Sequence, residues 1–512
     1  MSERKSASLV SSIMLITLIG KIMGLIRDRM QAITFGADTA ESIAFAQASI
    51  LPRNFLDIML SAAFSASFIP VFNSYMETKG KKEAFTLASF FISVVAVITA
   101  IVTVIGLVFA GPIFSMSLGS TALPDGVAEL GPVLLRIMFP LIIISGLAFS
   151  FTGVLQSLGK FTAPAAMGIA SNSVILIYYF FFIDRFGVYG LAVAFIIGFA
   201  AQGLIQIPYL VQSGFKFSFK IDWSDSGLRQ IGKLALPVLI ASWVMPINIL
   251  VNARAVAPLY GGQFGLNGIY FANTLYVIVS GVFILSLTNV VFPKLSRQAS
   301  VDDQTGFNET VSETFRVMVY VLLPLTIGMM ALSEPLVNFV LGGGQFGERA
   351  VDVTSTALFF FAPGIVGYGL LMLLTRVCYA QHDGRTPMIS AVVAISINFV
   401  LSFVLVNVLS VGGAALAGAS GKTVGACILI VALSKRNVFV WNRQLITGLL
   451  KMILLTVFMA IAVLLVAGLT VQMHVALQLA IPGLVGIAIY VGMGYLLGMR
   501  EAFWVLSVFR KK

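Results

Sequence analysis

Ten charged side chains fall inside long apolar stretches of this chain, and their chemistry needs a reason. Lys21, Arg27, Asp28 and Arg29 share the first stretch, Arg53 and Asp57 the second, and Arg136, Arg254, Arg376 and Lys422 stand alone in later ones. A charge at bilayer depth costs about 2.5–3.5 kcal/mol on insertion scales, so it persists where it lines a wet cavity, finds a partner or reaches a helix end. Eight of the ten are cations and two are anions, so a cavity lined by them selects anions. Arginine matches phosphate oxygens with paired donors and keeps its charge at any physiological pH, which makes a pyrophosphate the fitting ligand.

Helical spacing groups these residues. Lys21 and Asp28 are seven apart and share a face, while Arg53 and Asp57 form an i,i+4 pair. Gly20 and Gly24 flank Lys21, and Pro52 precedes Arg53, so both helices are expected to bend there and free backbone groups toward water or ligand. Arg29, Arg136 and Arg376 lie near predicted helix ends, where snorkelling explains them as well as binding does. Lys422 stands mid-stretch with no acid in its own helix, and we expect a tethered cation that shares polar groups with Asn398 and Ser402, with a role in conformational change or ion coupling.

Other motifs carry less. Ser420-Gly421-Lys422-Thr423 looks like the end of a phosphate-binding loop, but Leu416 stands where the leading glycine belongs and no strand precedes it. Gly342-Gly343-Gly344 reads as a flexible external turn, His382 and His474 as surface residues, and Cys378 and Cys427 as inert buried thiols. No group of residues has catalytic or metal-site spacing, so no enzyme activity, metal or cofactor is expected.

The elements that hold these charges follow from composition. The chain of 512 residues is 59% hydrophobic and 10% charged, with mean hydropathy +1.00, against about 25% charged in soluble domains. A span needs roughly 20 apolar residues, and such stretches run at about 7–35, 41–72, 84–113, 127–157, 161–183, 186–213, 229–257, 264–293, 309–342, 350–380, 386–409, 412–434, 444–469 and 475–498. The expected fold is an all-α polytopic membrane protein of about 14 transmembrane helices. The first stretch lacks a small-residue cleavage site, so the N-terminus is expected to stay attached. Alternate loops collect Lys79, Lys81, Lys82, Lys216, Lys220, Lys435 and Arg436 among others, while the opposite loops hold only Arg185 and Arg349. The net charge of +11 is therefore topogenic, both termini are expected in the cytoplasm, and nucleic acid is excluded as a partner.

The sequence also repeats. Gly159-Lys160-Phe161-Thr162-Ala163-Pro164, Asn172, Gly187 and Gly190-Leu191-Ala192 recur in outline as Gly384-Arg385-Thr386-Pro387, Asn398, Gly412-Gly413 and Ala415-Leu416-Ala417. Two pseudo-symmetric six-helix lobes, residues 1–225 and 226–440, are expected ahead of two C-terminal helices and a tail in 441–512. Duplicated halves of this kind accompany alternating access about a midplane site.

Gly24-Leu25-Ile26-Arg27-Asp28 resembles the G-x-x-R-[DE] signature of the MurJ/MviN branch of the MOP exporter superfamily. Leu51-Pro52 followed by Ala63-Phe64-Ser65-Ala66-Ser67-Phe68-Ile69-Pro70-Val71-Phe72 is similar to that family's L-P-N…G-A-F-S-x-A-F-[VI]-P-V-F. Arg376-Val377-Cys378-Tyr379-Ala380 with Asp383-Gly384-Arg385-Thr386-Pro387 resembles its R-x-F-Y-A-x-x-D-T-[RK]-T-P. The resemblance covers essentially the whole chain. It implies the 14-helix fold, location in the bacterial inner membrane, and export of lipid II, the undecaprenyl-pyrophosphate-linked peptidoglycan precursor. It also implies that Arg27 and Arg254 are cavity arginines and that Asp28 orders Arg27. Two family cations are absent: Leu56 stands at the basic position of the second span, with Arg53 one turn earlier, and Thr274 ends the A-[ND]-R motif of the eighth.

The expected function is thus a lipid II flippase, with Arg27, Asp28, Arg53, Arg254, Lys21 and Asp57 at the headgroup and membrane lipids or other cell-envelope synthesis proteins as partners. Alternatives are a flippase for another polyprenyl-pyrophosphate glycan, a drug or cation exporter of the same superfamily, and a non-transporting scaffold. The exporter would need acidic residues in the membrane, and only Asp28 and Asp57 are available.

Overall fold

The computed structural model describes residues 3–63, 67–118, 125–242, 255–256, 259, 264–300, 303–381, 383–439 and 441–503. Among them the chain is nearly all helix, and its β structure is an isolated bridge between Gly343 and Phe346. Two compact units form, Met1–Leu250 and Val251–Lys512.

The first unit contains α1 (Glu3–Phe35), α2 (Ala40–Ala63), α3 (Ile69–Thr78), α4 (Lys81–Val108), α5 (Ala110–Leu118), α6 (Val127–Met138), α7 (Leu141–Ser157), α8 (Thr162–Phe181), α9 (Ile183–Leu204), α10 (Ile207–Gln212) and α11 (Ser226–Ser242). The second contains α12 (Phe264–Ser300), α13 (Gln304–Ala331), α14 (Ser333–Leu341), α15 (Glu348–Phe361), α16 (Gly364–Ala380), α17 (Arg385–Leu409), α18 (Val411–Lys435), α19 (Arg443–Thr470) and α20 (Val475–Leu496). Ten helical stretches among the described residues are long and apolar enough to cross a membrane, and α15 with α16, bent by 48°, makes an eleventh. Of the other expected spans, that at about 7–35 is the helix α1, and those at about 41–72 and 229–257 include positions outside the described residues.

Small residues, not large ones, set the close approaches. Through Gly20 and Gly24, where a bend was expected, α1 continues as one helix of 33 residues. A Cβ on Gly20 would sit 3.3 Å from the backbone nitrogen of Ile169, so the glycine serves to let α1 and α8 touch backbone to backbone. α2 likewise continues as helix through Pro52. Beside α8, the first unit packs an aromatic core in which Phe68 stacks on Phe91 at 4.6 Å and Phe85 meets Phe215 edge-on. α11 joins this unit by packing on α2, α3 and α4.

The repeat is visible in backbone angles. Gly187, at the start of α9, has φ 52°, ψ −144°, and Ser410, between α17 and α18, has φ 55°, ψ −135°. Each half thus turns its α8–α9 or α17–α18 hairpin with one residue in a region that favours glycine. Gly343 and Gly344, also at positive φ, close a tight hydrogen-bonded turn rather than a loose one.

Candidate functional site

In the first unit, Arg27 of α1 is held on three sides. Its Nε and Nη2 donate to Asp28 Oδ1 at 3.0 and 2.7 Å, and its Nη1 donates to Asn172 Oδ1 of α8 at 2.9 Å. Asn172 in turn donates through Nδ2 to the Gly20 carbonyl at 3.0 Å, so the α1–α8 contact that the glycines allow also aims the amide. Asp28 is 3% exposed and Asn172 5%; a buried fork bound by a carboxylate and an amide has little freedom left. The guanidinium lies 5.6 Å from the centroid of Phe195 on α9, and the Arg53 guanidinium of α2 lies 5.6 Å from the same ring. Phe195 is fully buried and braced edge-on by Phe45 at 5.2 Å.

Two guanidinium groups thus converge on one ring beside the Asp28 carboxylate. Ring faces attract guanidinium groups without consuming their N–H donors, so two like charges can be held close on one ring. Lys21 is half-buried two turns earlier on α1. Asp57 lies in α2 with its side chain outside the description, and Arg254 lies outside the described residues altogether. Thr274, where the motif has a cation, returns its hydroxyl to the Tyr270 carbonyl of its own helix at 3.0 Å.

The second unit holds its cation differently. Lys422 Nζ lies 4.3 Å from the ring centroid of Tyr276, 5.2 Å from Tyr368 and 6.0 Å from Phe361. The cage is built from α12, α15 and α16, and Tyr276 is anchored by donating to the Gly364 carbonyl at 3.1 Å. No carboxylate among the described residues pairs with this ammonium. Asn398 and Ser402 of α17 are both buried, and Ser402 donates to Asn398 Oδ1 at 3.2 Å. Arg376 lies 5.1 Å from the ring of Phe292.

A family model described as "Lipid II flippase MurJ" matches residues 31–483. The chain belongs to the MurJ family. Relatives called "Probable lipid II flippase MurJ" include those of Vibrio cholerae, 26% identical over 451 residues (86% of this chain, 84% of the relative), and Bdellovibrio bacteriovorus, 27% identical over 506 residues (97% and 95%). A solved structure titled "Lipid II flippase MurJ, inward closed conformation" shares the fold with TM-score 0.81 at 24% identity, covering 95% of this chain and 98% of that one. The fold is also that of a multidrug resistance MATE family transporter of the MOP superfamily, with TM-score 0.68 at 14% identity, covering 83% and 98%.

In this MurJ-family chain the D-G-R-T-P motif has a structural use. Asp383 Oδ1 accepts the backbone N–H groups of Arg385 and Thr386 at 2.9 and 3.1 Å, capping α17. Its Oδ2 takes Thr386 Oγ1 at 2.5 Å and Arg436 Nη1 at 2.6 Å, which ties the start of α17 to the end of α18. Burial alone would raise this carboxyl, but the Thr386 hydrogen bonds and then Arg436 outweigh it and hold the pKa at about 2. Cys378 is buried as expected, whereas Cys427 is exposed on α18. His474 is exposed and caps α20 through Nδ1, and His382 lies outside the described residues.

Sequence reasoning did not identify Asn172 as a site residue, nor Phe195 or the Tyr276–Phe361–Tyr368 cage. The signal for Asn172 was present in the repeat, where it pairs with Asn398. The rings had none, because phenylalanine and tyrosine are ordinary in membrane helices. The ion pair of Arg316 with the 3% exposed Glu501, 2.5 Å apart, which pins α13 to the turn after α20, was missed as well.

Proposed function

We propose that this chain is a lipid II flippase of the bacterial cytoplasmic membrane, with both termini on the cytoplasmic side. The observation that carries this reading is the convergence of two guanidinium groups, Arg27 and Arg53, on the one ring of Phe195, which gathers phosphate-matching donors at one place among the first unit's helices. The shared name of the relatives supports lipid II as the source of that anion.

In this mechanism the pyrophosphate enters an inward-open cavity and takes hydrogen bonds from Arg27, Arg53 and Arg254, with Lys21 adding field and Asp28 and Asp57 fixing the arginines. The undecaprenyl tail stays in lipid, with the hairpin α19–α20 offering an apolar face to it. Lobes 1–225 and 226–440 then rock about the bound headgroup. Lys422, with Asn398 and Ser402 nearby in the repeat, acts as a tethered cation in the second lobe. One elementary charge moving through 100 mV is worth about 2.3 kcal/mol, so a net-cationic mobile cavity draws on the membrane potential.

The test is rescue of a cell depleted of its own lipid II flippase by wild type and by Arg27→Ala, Arg53→Ala and Arg254→Ala at matched membrane levels. Wild type is expected to rescue. Arg27→Ala is expected to lose at least about 100-fold in plating, since a lost charge-assisted pair costs about 3 kcal/mol. A well-inserted wild type that fails to rescue sinks the substrate assignment, and rescue by all three variants sinks the cationic cavity.

A further inference from the structure

We propose that the segment Gly214–Trp223 is a docking site for the headgroup of an anionic phospholipid. It follows directly on a candidate membrane span, Ile183–Gln212, so it lies at the boundary between hydrocarbon and water. Its backbone is neither helix nor strand, yet it is fastened to a neighbouring span at both ends. Phe215 is buried edge-on against Phe85 of α4 at 5.4 Å, and the Lys220 N–H donates to the buried Ser93 Oγ of the same helix at 3.2 Å.

Between and beyond those fastenings the segment turns its side chains outward. Phe217 is 49% exposed, Phe219 65% and Trp223 67%, with Lys216 and Lys220 exposed between them. Three exposed rings interleaved with two lysines make poor sense facing bulk water. At a membrane boundary the rings sit at headgroup level and the ammonium groups meet lipid phosphate.

The local acids are engaged by their own turn, with Asp222 also within electrostatic reach of Lys220. Asp222 accepts from the backbone and hydroxyl of Ser224, and Asp225 from the backbone of Leu228. Arg229 is spent on the Trp223 carbonyl at 2.9 Å, which also fixes the tryptophan backbone. Neither Lys216 nor Lys220 pairs with a carboxylate among the described residues, and Lys81 reaches the same place, its Nζ 5.4 Å from the Phe85 ring. The surface therefore offers Lys81, Lys216 and Lys220 against the one nearby acid Asp222, next to rings without cover. That complements an anionic lipid and gives a zwitterionic one nothing extra.

The test uses the full chain with Trp243, Trp441 and Trp504 changed to phenylalanine, reconstituted in phosphatidylcholine vesicles that carry equal mole fractions of brominated phosphatidylglycerol or brominated phosphatidylcholine. Each interfacial lysine enriches anionic lipid by about fivefold, so Trp223 is expected to be quenched more by the anionic lipid, and K216Q/K220Q is expected to erase the excess. Equal quenching by the two lipids, or an excess untouched by K216Q/K220Q, overturns the proposal. Native mass spectrometry of the chain with all four tryptophans gives a second reading. Retained phosphatidylglycerol should fall in K216Q/K220Q and hold in K435Q/R443Q, and an equal fall in both pairs also overturns it.

Discussion

The two units place a cation against aromatic rings near the same helix of the repeat, but they exchange the parts. In the first unit the ring, Phe195, comes from α9 and the cations, Arg27 and Arg53, come from α1 and α2. In the second the cation, Lys422, comes from α18, the counterpart of α9, and the rings come from α12, α15 and α16. Arg27 is also bound by a carboxylate and an amide, whereas Lys422 meets ring faces and no carboxylate among the described residues. Hydrogen bonds fix direction and ring faces do not. The first unit is therefore built to present donors at a fixed place, and the second to tolerate a charge that can shift among three rings.

That contrast predicts unequal consequences when each arrangement is broken. Asp28→Ala leaves the buried Arg27 fork with unmet donors and should cost about 3 kcal/mol, since removing one partner of a buried pair leaves its charge uncompensated. Lys422→Met removes a charge that has no carboxylate partner among the described residues to orphan. It forfeits a cation–π attraction of about 2 kcal/mol and recovers the cost of desolvating an ammonium, so its stability should stay within about 1 kcal/mol of wild type. Thermal unfolding in one detergent measures both. Equal losses would mean that the two cations are held alike after all.

The same contrast explains how much was legible in the sequence. The helical spans, the repeat and the Arg27–Asp28 pair could be read because they follow from hydropathy, spacing and a local motif. Asn172 reaches Arg27 from 145 positions away, and nothing local to either residue announces that. The glycines at 20 and 24, flanking Lys21, point in sequence to a bend that would free backbone groups toward water or ligand. In this fold the missing Cβ instead admits α8, and the helix stays whole. Lys422 was legible as an oddity, but its cage comes from three other helices and needed the fold to be seen.

The hairpin turns offer a smaller test of the repeat. Ser410 adopts nearly the backbone angles of Gly187, with a side chain that disfavours them. Ser410→Gly should relieve strain and stabilise the second unit by about 1 kcal/mol, while Gly187→Ser should cost the first unit a similar amount. Opposite shifts of similar size in apparent Tm would show that the two turns are equivalent. Shifts of the same sign would break the equivalence.

The smallest expected effect lies at the loops that precede α8 and α17. Leu158 stands before Gly159 where Asp383 stands before Gly384, so only the second unit has a carboxylate at this point of the repeat. In the first unit Lys160 Nζ donates to the Tyr209 carbonyl at 3.3 Å. Asp383 has its pKa lowered from 3.8 to about 2. A carboxyl depressed on folding stabilises the folded state above its unfolded pKa, and that contribution fades as pH falls from about 4 toward about 2. The clamp to Arg436 is partly exposed, so solvent screening limits its worth to about 1 kcal/mol or less. Asp383→Asn should lower the apparent Tm at neutral pH and converge with wild type near the acid end of that window. A gap between Asp383→Asn and wild type that did not narrow on acidification would mean that the clamp works through shape and not through charge.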